Sequence, residues 1–322
     1  MNALLRRALA GATALALGLA AAGTAYAYPD RPIRVLVPFP AGSATDQLAR
    51  LVSSDMQKAL GQTMVVENKP GAQGIIAVAA LTESAPDGHT LMISANTAIA
   101  ANVSLFKKLP YDPLKDFTPI AGLGANLLVL MVRSDFPAKT TEEFIAYAKS
   151  RPGKLSAGFG SSSSQVSLAM LKSMAGLDVL AVPYKGIPDA VNDVLGGSLD
   201  FTFVDAANAL AQSKGGRLRA IAVTAKEESV LTPGWPPLSK VLPGFEITAW
   251  FAMVGPAKLP QDVVDTLTMA ARKTLDDPAL QQRLIANGIA PAYQDPATLK
   301  TFIAAEIVKW AKLVKDAGIE PQ

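Results

Sequence analysis

The 322-residue chain has no cysteine. That absence excludes disulfides, a thiol nucleophile, thiolate metal ligation and a lipid-bearing cysteine behind a leader peptide. There is one histidine, His89, in the turn Pro86-Asp87-Gly88-His89-Thr90. With no second His or Cys to form a cluster, it reads as a surface turn residue, and neither a metal centre nor histidine-dependent catalysis is expected. The formal charge is only +3, and Arg6 and Arg7 supply two of those charges. No basic cluster remains to attract nucleic acid or anionic lipid. Beyond the N-terminal leader, no stretch reaches the roughly 18 uninterrupted apolar residues a membrane span needs.

What is present starts with that leader. Arg6 and Arg7 precede an apolar run, Ala8 to Ala22, that ends at Ala25-Tyr26-Ala27. This is the pattern of a cleaved secretory signal peptide over residues 1–27, with an exported, soluble product beginning at Tyr28. Ile33 to Val37 then forms a continuous apolar strand, as expected of a parallel strand covered on both faces. It leads through Pro38-Phe39-Pro40-Ala41-Gly42-Ser43-Ala44-Thr45-Asp46 into a helix whose Leu48, Leu51, Val52, Met56 and Leu60 share one face. Ser43 is placed as N-cap and Asp46 at the third helical position, a capping-box variant. The loop is either a capped turn or an anion site in which backbone N–H groups and the positive helix end converge.

From Ile33 to Ser94 the order is strand, helix, strand, helix, strand, which implies a parallel doubly wound sheet. Three loops gather at the carboxyl ends of its strands: Phe39 to Asp46, Pro70 to Gly74, and Ala95 to Ala98. Ligands bind at that edge in such sheets. A long apolar strand at Leu127 to Val132 then opens a second strand–helix series, and Gly244 to Phe251 makes a second apolar crossing. Two C-terminal helical faces follow, Val263, Val264, Leu267 and Ala271, then Phe302, Ile303, Ile307, Trp310, Leu313 and Val314. If these helices return to the first sheet, the second unit is an insertion. Two lobes joined by two crossings form a hinge around a cleft. The boundaries read as 28–125 with 245–322 for lobe one, and 126–244 for lobe two.

In the second series, Gly160-Ser161-Ser162-Ser163-Ser164-Gln165 precedes a helix. The run is either a flexible turn or the counterpart of the first loop, the two helix ends holding the two ends of a dicarboxylate across the cleft. A serine hydrolase would need a base and commonly G-x-S-x-G, and neither is present. Tyr184 and Lys185 follow a strand; Lys185 can pair with a ligand carboxylate or stay solvated. Asp205 can receive a ligand amino or hydroxyl group or cap the next helix. Asn96 is a donor candidate that can equally act as a cap.

Taken together, the motifs Tyr28-Pro29-Asp30-Arg31-Pro32, Val37 to Gly42, Val66-Glu67-Asn68-Lys69-Pro70-Gly71-Ala72, Leu109-Pro110-Tyr111-Asp112-Pro113, Val182-Pro183-Tyr184-Lys185-Gly186 and Gly216-Arg217-Leu218-Arg219-Ala220 span the chain in order. On these the sequence resembles the tripartite tricarboxylate transporter substrate-binding proteins, the Bug family of periplasmic solute receptors. The resemblance implies an α/β, two-lobed, Venus-flytrap periplasmic binding protein, with two doubly wound sheets joined by two crossing strands. It implies ligand-binding positions at Phe39, Ala41, Gly42, Ser43, Ala44 and Asp46, and at Ala72, Gln73 and Gly74. In lobe two it points to Ser161 to Gln165, Tyr184, Lys185, Gly186 and Asp205. Gln73-Gly74-Ile75, Gln165 and Ala98 depart from common family residues and bear on specificity.

The function expected is capture of a small organic carboxylate, a di- or tricarboxylate, an aromatic acid or an acidic amino acid, for delivery to a tripartite membrane transporter. The competing expectations are a ligand-dependent partner of a membrane sensor and, remotely, a serine hydrolase. No cofactor, metal or nucleic-acid partner is expected, and the protein is taken as a monomer outside the cytoplasm, in the periplasm.

Overall fold

A computed structural model describes residues 28–322; the leader expected over 1–27 lies outside them. The chain runs β1 (Ile33–Val37), α1 (Ala44–Leu60), β2 (Met64–Asn68), a 3₁₀ turn (Ala72–Gly74), α2 (Ile75–Thr82) and β3 (Thr90–Ala95). A π-helical turn (Thr97–Ala101), α3 (Asn102–Leu105) and α4 (Pro113–Asp116) lead to the long strand β4 (Phe117–Arg133). Next come α5 (Thr141–Lys149), β5 (Leu155–Phe159), α6 (Ser162–Ala175), β6 (Val179–Pro183), α7 (Ile187–Gly196), β7 (Phe201–Asp205), α8 (Ala206–Lys214) and β8 (Leu218–Val223). The chain closes with β9 (Thr248–Pro256), α9 (Gln261–Leu275), α10 (Pro278–Ala286), β10 (Ala290–Gln294) and α11 (Pro296–Asp316).

The strand order is β2-β1-β3-β9-β4-β7-β5-β6, with β8 and β10 also paired to β4. β1 is parallel to β2 and β3, and β5 is parallel to β6 and β7, so each lobe has its own wound core. β4 joins them. Its residues 117–127 pair with β9, whereas 128–132 pair with β7, so its partners change between Leu127 and Leu128. β9 begins where β4 crosses, with Thr248 opposite Leu127, and runs back through the first sheet between β4 and β3.

Val35 and Val37 point to one face of the first sheet and Leu36 to the other, as the two-residue strand period requires. Both faces are covered. Val35 and Val37 pack in a core with Leu48, Val52 and Met56 of α1 and Leu267 of α9. Leu36 belongs to the second core, with Leu81, Ile99, Ile303 and Trp310, which continues along β4 to Phe201 and Phe203. The C-terminal helices therefore do return to the first sheet. Buried Glu306 ties that return together: Trp250 on β9 and Trp310 on α11 both donate their indole N–H to Glu306 Oε2, at 2.7 and 3.1 Å.

His89 corrects the sequence reading. It is only 7% exposed, edge-on to the Tyr28 ring, with its nitrogens facing Asp30 at 3.1 Å and Asp87 at 3.4 Å. The Tyr28 hydroxyl donates to the Gly88 carbonyl and fixes the N-terminal segment over the turn. That cover comes from residues about sixty positions away, which local polarity does not reveal.

Candidate functional site

The loop between β1 and α1 is built around one carboxylate. Ser43 is the N-cap of α1, extended at φ −67 and ψ 158, and its hydroxyl accepts the Asp46 N–H at 3.3 Å. Asp46 is buried and answers by accepting the Gly42 N–H at 2.9 Å, with Gly42 at φ +80. Asn68 and Arg50 also donate to it, at 2.9 and 3.0 Å. Burial alone would raise the Asp46 pKa, but the bonds from Arg50, the Gly42 amide and Asn68 outweigh it and hold it below the ordinary range. The carboxylate is thus consumed in shaping the loop.

This revises which amides are open. The Gly42 N–H goes to Asp46 and the Ser43 N–H to the Pro40 carbonyl. Ala44 and Thr45, at the first two helical positions, have no intrahelical acceptor, as helix geometry dictates. Both residues, with Phe39 and Ser43, line a cavity of about 40 Å³ between the lobes. Ala41 and Gly42 are exposed and are not on its wall.

The other walls come from the crossing strands and the second lobe. Asn126 and Leu128 on β4 face Ala249 and Phe251 on β9. Ala95 and Thr97 complete the first lobe's share. Gly160, Ser161, Ser163, Ile187 and Asp205 form the second lobe's share. No lysine, arginine or histidine reaches the cavity, and no group of three potential metal ligands occurs among the described residues. Amides and hydroxyls against apolar walls suit a carboxylate held without a guanidinium partner.

The serine run is a helix start of a different kind. Ser161 caps α6 in a reciprocal box with Ser164, and the Ser164 hydroxyl also accepts the Gly160 N–H. Ser162 and Ser163 turn to the other lobe. Asn96 Nδ2 donates to Ser162 Oγ at 3.0 Å, Thr97 and Ser162 share a hydroxyl bond at 2.8 Å, and Ser163 donates to Asn96 Oδ1 at 3.3 Å. Gln73 and Gln165 join across the same seam at 3.0 Å, and Asn208 Nδ2 donates to the Gly42 carbonyl at 3.1 Å.

Ala72, Gln73 and Gly74 are therefore not on the cavity wall, and Gln73 reaches across the lobe seam instead. Ala72 and Gln73 hold φ +46 and +51, a left-handed turn that presents the Gln73 side chain to lobe two. Gly186 also belongs to the seam: a Cβ there would meet Pro40 at 2.4 Å, so only glycine permits the approach. Tyr184 donates to Asp193, and that bond, with burial second, pushes its pKa up to about 12. Lys185 is exposed and forms no ion pair among the described residues. Asp205 proves to be both cap and wall: it accepts the Asn208 N–H at 3.1 Å at the start of α8 and lines the cavity. Burial raises its pKa against the opposing bonds from Asn208.

Thr45, Ala95 and Thr97 fall in the loops expected at the ligand edge without being named as contacts, whereas Asn126, Leu128, Ile187, Ala249 and Phe251 were not singled out by sequence reasoning. Asn126 carried a signal, being the one polar side chain in the run Ala121 to Met131. The others are ordinary apolar or small residues that only the crossing of the strands brings to one place.

Comparison with known proteins gives a consistent result. The profile of the tripartite tricarboxylate transporter family receptor matches residues 48–319. Protein BugT of Bordetella pertussis is 33% identical over 305 residues, covering 94% of both chains. A solved R. palustris protein with adipate superposes with a TM-score of 0.89 at 29% identity, covering 92% of this chain and all of that one. MatC from Rhodopseudomonas palustris with bound malate gives 0.83 at 33%, covering 89% of this chain and all of that one.

Proposed function

The chain belongs to the tripartite tricarboxylate transporter receptor family, and we propose that it captures a small di- or tricarboxylate in the periplasm and delivers it to the membrane components of such a transporter. The lobes are residues 28–125 with 245–322, and 126–244, and they hinge where β4 changes partners. The observation that carries this reading is the inter-lobe cavity, with two helix-start amides, hydroxyls from both lobes and no cation. One carboxylate sits on the Ala44 and Thr45 amides, and the ligand's far end reaches the hydroxyls of Thr97, Ser161 and Ser163. The relatives solved with malate and adipate support a ligand of this class.

The present cavity has room for roughly one acid group or a few waters, so entry of a whole diacid requires the lobes to part. Closing on ligand is then a population shift; ~5.5 kcal/mol of differential affinity carries the lobes from nearly all open to nearly all closed. We further read the serine run as structural and not catalytic. Ser162 is hydrogen-bonded to Asn96 and Thr97, and His89 lies beside Asp30 and Asp87 and off the cavity wall.

Thermal unfolding against a panel of C4 to C6 di- and tricarboxylates tests the proposal. A true ligand at 100 times its dissociation constant stabilises by ~2.7 kcal/mol. No stabilisation by any acid in the panel, together with no acid on the purified protein by native mass spectrometry, refutes it.

A further inference from the structure

Asn126 carries the one buried side-chain polar atom on the cavity wall that has no hydrogen-bond partner. It is 4% exposed, and its Oδ1 is buried without a hydrogen-bond partner. Five of the other polar side chains there are engaged: Ser43 with Asp46, Ser161 with Ser164, Ser163 with Asn96, Thr97 with Ser162, and Asp205 with Asn208. An unpaired amide buried in a fold is costly and rare, and it calls for a partner not supplied by the chain.

Register places that amide beside the cavity's one carboxylate. Leu128 on β4 is directly opposite Asp205 on β7. Asn126 is two residues back along the strand, where β4 pairs with β9 instead, and it shares the face of Leu128. All three residues line the cavity. An ammonium can donate to both an amide oxygen and a carboxylate oxygen and a hydroxyl can donate its one proton to either, whereas a second carboxylate placed there would meet a like group with no cation to offset it.

We propose that Asn126 contacts the bound acid directly and that, with Asp205, it selects a carboxylate carrying a hydrogen-bond-donating substituent, a hydroxyl or an amino group, over the unsubstituted acid. This rests on the carboxylate site described above. Asn126 reads what lies beyond the acid group held by Ala44 and Thr45.

Isothermal titration of the wild-type protein, Asn126→Leu and Asp205→Asn with succinate, malate and aspartate, and with glutarate, 2-hydroxyglutarate and glutamate, tests the assignment. The wild type is expected to prefer the hydroxy or amino member of a series by at least roughly 10-fold. Asn126→Leu is expected to reduce that preference to about 3-fold or less while leaving its ligand-free melting temperature equal or higher, because it removes an unpaired buried amide. A loss of affinity in Asp205→Asn confined to the amino acids identifies the substituent as ammonium, and a loss shared by the hydroxy acids identifies it as hydroxyl. Asn126→Ala provides the same readout if the leucine variant does not fold. Equal binding of substituted and unsubstituted acids by the wild type, or an undiminished preference without Asn126, overturns the inference and leaves the carboxylate site standing. Failure of every acid to bind overturns both.

Discussion

The two lobes face the cleft with the same device, a strand that ends in small residues and a serine-capped helix, yet they use it differently. In lobe one the cap is fastened from behind by Asp46, which takes donors from Gly42, Arg50 and Asn68. That leaves Ala44 and Thr45, on the cavity wall, with N–H groups that have no intrahelical acceptor. In lobe two the fastening is done by serine hydroxyls, and the next hydroxyls along the helix are spent on Asn96 and Thr97 of the opposite lobe. A charged, over-determined loop makes a rigid grip; a row of neutral hydroxyls makes a latch that water can replace when the lobes part. In the proposed function, two similar sequences at equivalent places would divide into a holding jaw and a closing jaw.

The sharpest way to break this contrast is to unfasten the grip. Asp46→Ala leaves the Gly42 amide and Asn68 without their shared acceptor, and a loss of about 3 kcal/mol in urea unfolding is expected. A loss under about 0.5 kcal/mol would mean that the carboxylate does not organise the loop. Ala44→Pro isolates the grip itself. Proline is well tolerated at the first helical position, and the extended Ser43 before it is compatible, so the helix should persist while one ligand-facing N–H is lost. Affinity should fall about 30- to 100-fold, or ~2–3 kcal/mol, by titration calorimetry; unchanged affinity would take that amide out of the site.

The latch is tested by Ser162→Ala, which removes two cross-lobe bonds worth about 1 kcal/mol each. The ligand-free protein should open, with a larger radius of gyration by small-angle scattering, while the liganded form stays compact. Superimposable curves for variant and wild type would argue that the run does not hold the lobes together.

The capping carboxylates of the two lobes also carry opposite pH signatures. Asp46, held below its ordinary 3.8, contributes stability above that value and loses it as pH falls through its depressed pKa. Asp205, raised by burial, does the reverse: the unfolded chain ionises first, so stability declines as pH climbs from 3.8 through the raised value. Asp205→Asn keeps the cap and should flatten that part of the profile. A profile unchanged by the substitution would show that burial does not perturb this group. The smallest effect is expected at Lys185. Because it is exposed and unpaired, Lys185→Ala should change affinity by less than about 2-fold, and a 10-fold loss would bring it into the site.

Much of this architecture was readable from residue order. The apolar run Ile33 to Val37, the spacing of Leu48, Val52 and Met56, and the caps Ser43 and Ser161 are local signals, and their elements form as they imply. The length of β4 was not, since its first half is interrupted by Pro119, Gly122 and Gly124, and it becomes a strand by pairing with β9 and β10. The short elements Thr97 to Leu105 and β10 likewise depend on what they pack against.

By itself, then, the sequence determined the two wound lobes, the crossings between them and the capped helix starts, because apolar periodicity and capping act over a few residues. Only the tertiary structure decided that the Gly42 amide is taken by Asp46 while those of Ala44 and Thr45 have no intrahelical acceptor, that His89 is covered, that Gln73 and Asn96 serve the seam, and that Asn126 Oδ1 lies unpaired on the cavity wall that Asp205 also lines. Each of those outcomes is a competition for hydrogen-bond partners, and apart from Asp46's capture of the Gly42 amide the rivals lie tens of residues apart in the chain, so the winner is fixed only once the lobes are folded against each other.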